Sequence, residues 1–431
     1  MANERSVLII GGGVAGIQTA IELADFGIKV FIAEKEATLG GNILRVGKVF
    51  PTDDCGLCIS RSELLKGTRG FRKCYYRLNI KDHPNIKILT RTVVKSVERK
   101  NGGFKVKLER HPMGVDPEKC TLCGECAKAC PVEVPDDLNL GLSKRKAIYL
   151  PHPQAMPLTY VVDFENCNKC GKCVEVCKFD AISLDGKSES MELEVDAIVV
   201  ATGFEELDPT LLKEYGYGMY KNVITQLQLA RLLDPNGPTG GEVKNLESGE
   251  LAKRVVMTLC SGSRDQRLKP YCSKICCTYA LKHALMLREK GIEVIVCFMD
   301  IRTFGEYEDY YRRARAEGVR FIRGRVGAVE KQKDKLLVYV EDTYTSTLQT
   351  IEADLLVITP AIVPSKGTEE ISKILGIETD EYGFIKTKEI NGVETMVDGI
   401  FAVGCATGPK SIPDLMNDAY AATIRILNSL K

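Results

Sequence analysis

The sequence predicts an α/β fold of two units, the first interrupted by a cysteine-dense insert. Three observations predict it. The chain opens with a β-α-β pattern: an apolar run at 6–10, the turn Gly11-Gly12-Gly13-Val14-Ala15-Gly16, a helical pattern over 17–26 stopped by Gly27, and a strand over 28–33. Two cysteine runs of the same spacing fill residues 116–180. A second strand–helix–strand pattern then runs through 255–298.

The remaining elements follow in order. Residues 86–98 and 103–109 alternate as strands, and apolar strands resume at 195–201. The stretch 234–250, rich in glycine and proline, predicts a loop or linker. A strand at 255–259, a helix at 277–290 and strands at 292–298 and 355–359 form the second unit, and a last helix covers 414–430. The expected domains are therefore 1–112, 185–250 and 361–431 for the first α/β unit, 113–184 for the insert and 251–360 for the second α/β unit.

Composition limits the function. The chain of 431 residues is 44% hydrophobic and 27% charged, which is globular. Lys plus Arg total 59 against 58 for Asp plus Glu, so no general attraction to nucleic acid or an anionic membrane is expected. The basic run over 69–77 reads as a solvated face or a contact with a partner or cofactor. No export signal is visible and no apolar run approaches the ~18 residues needed to span a bilayer. A cytoplasmic protein is expected, held at a membrane only through a partner. Seventeen cysteines in such a chain point to metal or redox work rather than disulfides. The four histidines, His83, His111, His152 and His283, show no metal-ligand spacing, and each is expected on the surface or in packing. No catalytic acid, base or nucleophile is expected.

The opening turn matches G-x-G-x-x-G at Gly11, Gly13 and Gly16. The first glycine allows a tight turn, the second admits a pyrophosphate to the backbone, and the third lets helix and sheet pack closely. Val14 and Ala15 lie in the turn that leads into the helix whose N-terminal N–H groups face the phosphates, and Glu34, followed by Lys35, is placed to accept from the adenosine ribose hydroxyls. This fingerprint fits FAD or NAD. Gly40-Gly41, Ala201-Thr202-Gly203 and the run from Gly399 to Gly404 resemble the motifs of two-domain flavoprotein reductases, which implies FAD. That group places Asp after the final glycine, at the flavin ribityl chain, whereas this chain has Cys405.

Within the insert, Cys120-x2-Cys123-x2-Cys126-x3-Cys130-Pro131 is the bacterial ferredoxin run, repeated as Cys167-x2-Cys170-x2-Cys173-x3-Cys177 with Lys178 in place of proline. Three close thiolates wrap one cubane and the fourth ligand crosses from the other run. Cluster one is thus expected on Cys120, Cys123, Cys126 and Cys177, and cluster two on Cys167, Cys170, Cys173 and Cys130. Gly124 and Gly171 relieve crowding in the loops.

The second α/β unit lacks a nucleotide fingerprint after its first strand. Cys260, Cys272, Cys276 and Cys277 stand there instead. Their spacing suits a third [4Fe–4S] cluster, a thiol/disulfide site or structural cysteines. Cys55 and Cys58 suit a redox pair, two ligands of a shared site or a structural role. Cys74 and Cys297 are expected to be buried.

Over essentially its full length the chain resembles the A-type subunits of heterodisulfide reductases (HdrA). The resemblance rests on Gly11 to Gly16, Phe50-Pro51-Thr52-Asp53-Asp54-Cys55, Cys130-Pro131-Val132-Glu133-Val134-Pro135, Lys144-Arg145-Lys146-Ala147-Ile148-Tyr149, Cys260-x-Gly262-Ser263-Arg264-Asp265, Tyr271-Cys272-Ser273, Cys276-Cys277, Met299-Asp300-Ile301-Arg302 and Gly404-Cys405-Ala406-Thr407-Gly408-Pro409-Lys410. It implies a thioredoxin-reductase-like flavoprotein fold with an inserted 2[4Fe–4S] ferredoxin domain. It also implies one FAD, a third cluster on Cys260, Cys272, Cys276 and Cys277, and electron transfer, with bifurcation at the flavin in the methanogen complexes. Implied partners are B- and C-like subunits and an electron-input protein such as ferredoxin, hydrogenase or formate dehydrogenase, with a homodimer as a further expectation. Relative to the long methanogen form, an N-terminal cluster domain and a C-terminal ferredoxin domain are expected to be absent. The chain also resembles the A-type component of the quinone-interacting membrane-bound oxidoreductase of sulfate reducers, whose second cysteine run is degenerate; two complete runs favour the heterodisulfide reductase branch. A stand-alone NAD(P)H-dependent reductase is the remaining alternative.

Overall fold

The computed structural model describes residues 5–50, 80–100 and 102–430. Cys55, Cys58, Cys74 and the basic run over 69–77 lie outside the described residues, as does most of the motif from Phe50 to Cys55.

The opening strand Ser6–Ile10 is central to a parallel five-stranded sheet. Its order is Ile400–Ala402, Ala197–Val200, Ser6–Ile10, Lys29–Ala33 and Ile86–Leu89. These strands are short and apolar because both faces are covered. On one face pack the helices Val14–Asp25 and Ile412–Ser429, around Ile17, Ile21, Leu23 and Ile426. On the other lies an antiparallel meander of Thr92–Lys100, Gly103–Arg110 and Glu189–Val195, around Val106, Leu108 and Val195.

The same plan recurs further on. Val223–Thr225, Leu355–Pro360, Arg254–Ser261, Glu293–Phe298 and Arg320–Arg323 form a second parallel sheet. Helix Cys276–Glu289 covers one face and the meander Val326–Gln332, Lys335–Asp342, Thr347–Ala353 the other. Two α/β units of similar plan, the second set between segments of the first, match the sequence-predicted fold class; they differ in that the edge strand is the last of the first unit, Ile400–Ala402, and the first of the second, Val223–Thr225.

The cysteine insert leaves the first meander at Arg110 and returns at Glu189, and these two residues are register partners. It thus occupies the place of a hairpin turn, which lets a folded segment enter without disturbing the sheet. Its core is small and includes three cysteines, Cys126, Cys130 and Cys173, beside Val115, Ala147, Ile148, Val162, Ala181 and Ile182. So few apolar groups give little folding energy of their own, which is usual where bound metal supplies the rest.

Boundaries shift slightly from the sequence expectation. The first helix starts at Val14 rather than Ile17, because Gly13 in an extended conformation is its N-cap. The helix of the second unit starts at Cys276 and the last helix at Ile412, the latter capped by Ser411 with Asp414 in a capping box.

Candidate functional site

The glycine turn is built for close approach. A methyl group placed on Gly11 would lie 2.4 Å from the Ala201 carbonyl oxygen, and one on Gly16 would lie 2.1 Å from the Gly11 oxygen. One on Gly13 would meet nothing within 4 Å. Gly11 and Gly16 therefore serve the turn and the helix–sheet contact, while Gly13 faces the open space where a phosphate fits. The other predicted residues converge here. The Gly40 N–H donates to the Gly12 carbonyl at 2.8 Å. Gly41 adopts φ +57° against Gly13, and Gly404, at φ +71°, lies against Ala15. Thr202 pairs its hydroxyl with that of Thr368 at 2.8 Å, beside Gly203 at φ +74°.

Glu34 is buried and accepts from the Gly12 N–H at 2.7 Å and the Glu36 N–H at 2.8 Å. Burial holds its carboxyl above the usual carboxylate range, with the two N–H donors pulling the other way. Each oxygen keeps a lone pair for a ribose hydroxyl. Lys35 next to it is exposed.

Cys405 is buried, and its thiol is pushed up to about 11 by that burial. It points its S–H to the Lys410 carbonyl at 3.6 Å. Nearby, Asp418 accepts the Gly404 N–H at 2.8 Å and the Lys410 ammonium at 2.6 Å. Sequence reasoning missed Asp418 and its pairing with Lys410. No local signal marked the pair, because Lys410 precedes the helix Ile412–Ser429 that carries Asp418.

In the insert, two pockets gather four cysteines each. Cys120, Cys123, Cys126 and Cys177 line one, and Cys130, Cys167, Cys170 and Cys173 line the other. The two loops are copies. Leu122 and Lys169, each two residues after the first cysteine, are left-handed at φ +63° and +53°, and Gly124 and Gly171 follow at +78° and +79°. Such a turn aims backbone N–H groups at an anion, and the Lys169 N–H reaches Cys167 Sγ at 3.4 Å.

The third group uses the same device. Lys274, two residues after Cys272, has φ +63° and donates its N–H to Cys272 Sγ at 3.3 Å. Cys260 sits at φ +59° where the register between its strand and Leu355–Pro360 slips. Cys276 feels the charges of Cys260, Cys277 and Cys272, so the four thiols are neighbours. The loop is fastened to the first unit: Lys274 pairs with Asp414 at 2.8 Å, and the Tyr271 hydroxyl donates to the Ile362 carbonyl at 2.8 Å.

The described cysteines are free thiols, not disulfides. Burial pushes Cys126 and Cys277 up to about 11, and Cys276 well above the usual thiol range. Such thiols are poor nucleophiles at neutral pH, and a metal must displace their protons. Among the described residues no three His, Cys, Asp or Glu side chains stand close enough to hold a single metal ion. Cys297 is fully buried, as expected, and outside these groups. Among the histidines, buried His283 Nδ1 bonds Gln226 Oε1 at 2.7 Å and His83 Nε2 meets Asp25 at 3.3 Å, both packing roles.

Among the described residues no helix is long and apolar enough to cross a membrane. Comparison with known proteins matches residues 112–178 to the 4Fe-4S dicluster domain family and residues 5–130 to the pyridine nucleotide-disulphide oxidoreductase family. FAD and [4Fe–4S] clusters are thereby the cofactors of the chain. Its fold is similar to that of T. acidophilum thioredoxin reductase, with a TM-score of 0.53 at 16% identity over 99% of this chain and 100% of that one. The chain is 44% identical, over 97% of its length, to the A-type iron-sulfur subunit of the CoB–CoM heterodisulfide reductase of Methanocaldococcus jannaschii. It is 43% identical, again over 97%, to the A-type subunit of the H2/formate:CoB-CoM heterodisulfide,ferredoxin reductase of Methanococcus maripaludis. It spans 63% of the length of each of these relatives. With its nucleotide turn, its paired cysteine runs and these relatives in agreement, the chain belongs to the HdrA family, the A-type subunits of heterodisulfide reductases.

Proposed function

We propose that this chain is an oxidoreductase component that moves electrons between FAD and three [4Fe–4S] clusters within a heterodisulfide-reductase-like complex. The flavin handles electron pairs and the clusters carry electrons singly. Gly11, Gly13, Val14, Ala15, Gly16, Glu34, Lys35, Gly40, Gly41, Ala201, Thr202, Gly203, Gly404 and Cys405 form the flavin site. Cys120, Cys123, Cys126 and Cys177 hold cluster one, Cys130, Cys167, Cys170 and Cys173 cluster two, and Cys260, Cys272, Cys276 and Cys277 cluster three. The domains are 1–112, 185–222 and 361–431 for flavin, 113–184 for the insert and 223–360 for the third cluster; the expected boundary at 250 moves to 222 because Val223–Thr225 joins the second sheet and helix Gln226–Leu233 packs in its core.

The observation that carries this reading is the crossed pairing of the cysteine runs in two separate four-cysteine pockets. Supporting it, the Cys272 loop and the flavin-side helix Ile412–Ser429 are joined through Lys274 and Asp414, which keeps the third quartet beside the flavin unit. The partners are B- and C-like subunits and a ferredoxin, hydrogenase or formate dehydrogenase as electron source, with bifurcation at the flavin. Disulfide chemistry belongs to a partner, because no described thiol here has an adjacent base. Anaerobic purification with iron, sulfide and flavin counts tests the reading: about twelve iron atoms and one FAD per chain are expected at four irons per cubane. About eight irons would remove the third cluster, and a colourless protein would overturn the whole assignment.

A further inference from the structure

Arg264 and Asp300 stand beside the third cysteine group, and their geometry has no counterpart in the insert. Arg264 follows Cys260 by four residues in a left-handed conformation, φ +54°, which turns its side chain back toward that cysteine. Its guanidinium is in hydrogen-bonding contact with Cys260 and with Asp300, donating from Nη2 to Asp300 Oδ2 at 2.7 Å. Nη1 is buried without a protein partner, so one charged donor remains for an acceptor inside the site. Asp300 is held from the other side of the same quartet, where the Cys277 S–H points to the Asp300 carbonyl at 3.7 Å. Arg302 adds a second cation 4.0 Å from the Asp300 carboxylate.

The insert has no such arrangement. Its sulfurs are served by backbone groups, the Lys169 N–H on Cys167 and the Ala127 N–H beside Cys126. Lys128, whose charge reaches Cys123, is turned to Glu125 at 2.7 Å in solvent.

We propose that Arg264 is a positioning residue that raises the reduction potential of the third cluster by directing a charged N–H at the sulfurs on its Cys260 side, with Asp300 limiting the size of that effect. Adding an electron to a cubane adds negative charge, and a nearby cation or N–H donor stabilises the reduced form. A guanidinium suits this better than an ammonium, because its fork serves the carboxylate and the sulfur at once. The third cluster is thus set apart from the two in the insert by a single side chain on its own loop, an inference that rests on Cys260, Cys272, Cys276 and Cys277 holding a cluster.

The test is an EPR-monitored redox titration of the whole chain purified without oxygen, with iron counted in each sample. R264Q is expected to lower the midpoint potential of the third cluster, D300N to raise it, and R264K to fall between R264Q and the unaltered protein; the two insert clusters stay where they were. Opposite signs for R264Q and D300N do not arise from simple loosening of the site. Unchanged potentials at about twelve irons per chain would overturn the role of Arg264 alone. If R264Q loses iron, D300N decides, and an unchanged or lowered potential there overturns the proposal. About eight irons in the unaltered protein would overturn the cluster itself.

Discussion

Arg231 Nε donates to Asn139 Oδ1 at 2.9 Å, joining helix Gln226–Leu233 to the cysteine insert. The arginine is fully buried, and its Nη1 also reaches Asp234 at 2.7 Å and the Leu44 carbonyl at 3.5 Å. One side chain thereby ties the flavin unit, the second unit and the insert together. Gln228 adds a second tie from the same helix, donating to the Leu140 carbonyl at 3.1 Å.

Arg231→Ala leaves Asp234 and Asn139 with buried, unmatched polar groups. Breaking one side of such a pair costs about 3–5 kcal/mol. Denaturant unfolding followed by circular dichroism should show that loss, and removing Asp234 together with Arg231 should recover part of it. Equal losses in the single and double variants would mean that packing, rather than the stranded charge, sets the cost.

The glycine turn separates folding from ligand binding. Gly13 has φ −78° and open space around it, so Gly13→Ala should fold with an unchanged melting temperature. Its methyl group would stand in the phosphate space, and flavin binding should weaken at least tenfold, ~1.4 kcal/mol or more. Gly16→Ala meets the Gly11 carbonyl instead and should destabilise the protein itself. Thermal melts beside flavin content check both; Gly13→Ala with full flavin would remove Gly13 from the site.

These two regions show what the sequence carries. The turn and both cysteine runs were legible because spacing alone fixes their geometry: a tight glycine turn and a cubane each accept very few arrangements. The left-handed residues Leu122, Lys169 and Lys274 were not legible, since none is glycine and only the wrapping of sulfur explains them. Nor was the buried pair of Asp418 and Lys410, or the contact between Arg231 and Asn139. Such pairs depend on how separate elements pack, and no local pattern marks them.

The crossed ligation predicts a pattern of iron loss. Cys120→Ser and Cys177→Ser each remove one cluster, about four irons, and the double variant should lose no more than either alone. Cys167→Ser combined with Cys177→Ser should lose about eight. Iron analysis with EPR of the reduced protein distinguishes these outcomes. If Cys120→Ser with Cys177→Ser lost eight irons, each run would be holding its own cluster.

Glu206 predicts a pH dependence. Its Oε1 is buried without a hydrogen-bond partner, and burial raises its carboxyl to about 7, against the opposing pull of Thr225, the Leu227 N–H and Arg45. A raised carboxyl binds more protons in the folded chain than in the unfolded one. Its contribution is therefore full below the unfolded value of 4.5 and is lost as pH rises toward about 7. Glu206→Gln should flatten that fall, worth about 1–3 kcal/mol, in stability measured from pH 4.5 to 7.5. A parallel fall in both proteins would assign the pH dependence to other groups.

The second α/β unit predicts no direct reaction with a nicotinamide nucleotide. A dinucleotide turn needs a glycine that opens onto free space, as Gly13 does in the first unit. The corresponding glycine here, Gly262, faces packed side chains, and a methyl group on it would lie 2.7 Å from Leu207 Cδ2. At the start of helix Cys276–Glu289, where phosphates would meet free N–H groups, stand the buried Cys276 and Cys277. Stopped-flow mixing with NADH or NADPH should leave the flavin oxidised under conditions in which dithionite bleaches it. Rapid bleaching by either nucleotide would show that a second nucleotide site exists, and would return the four cysteines of this unit to a thiol or structural role.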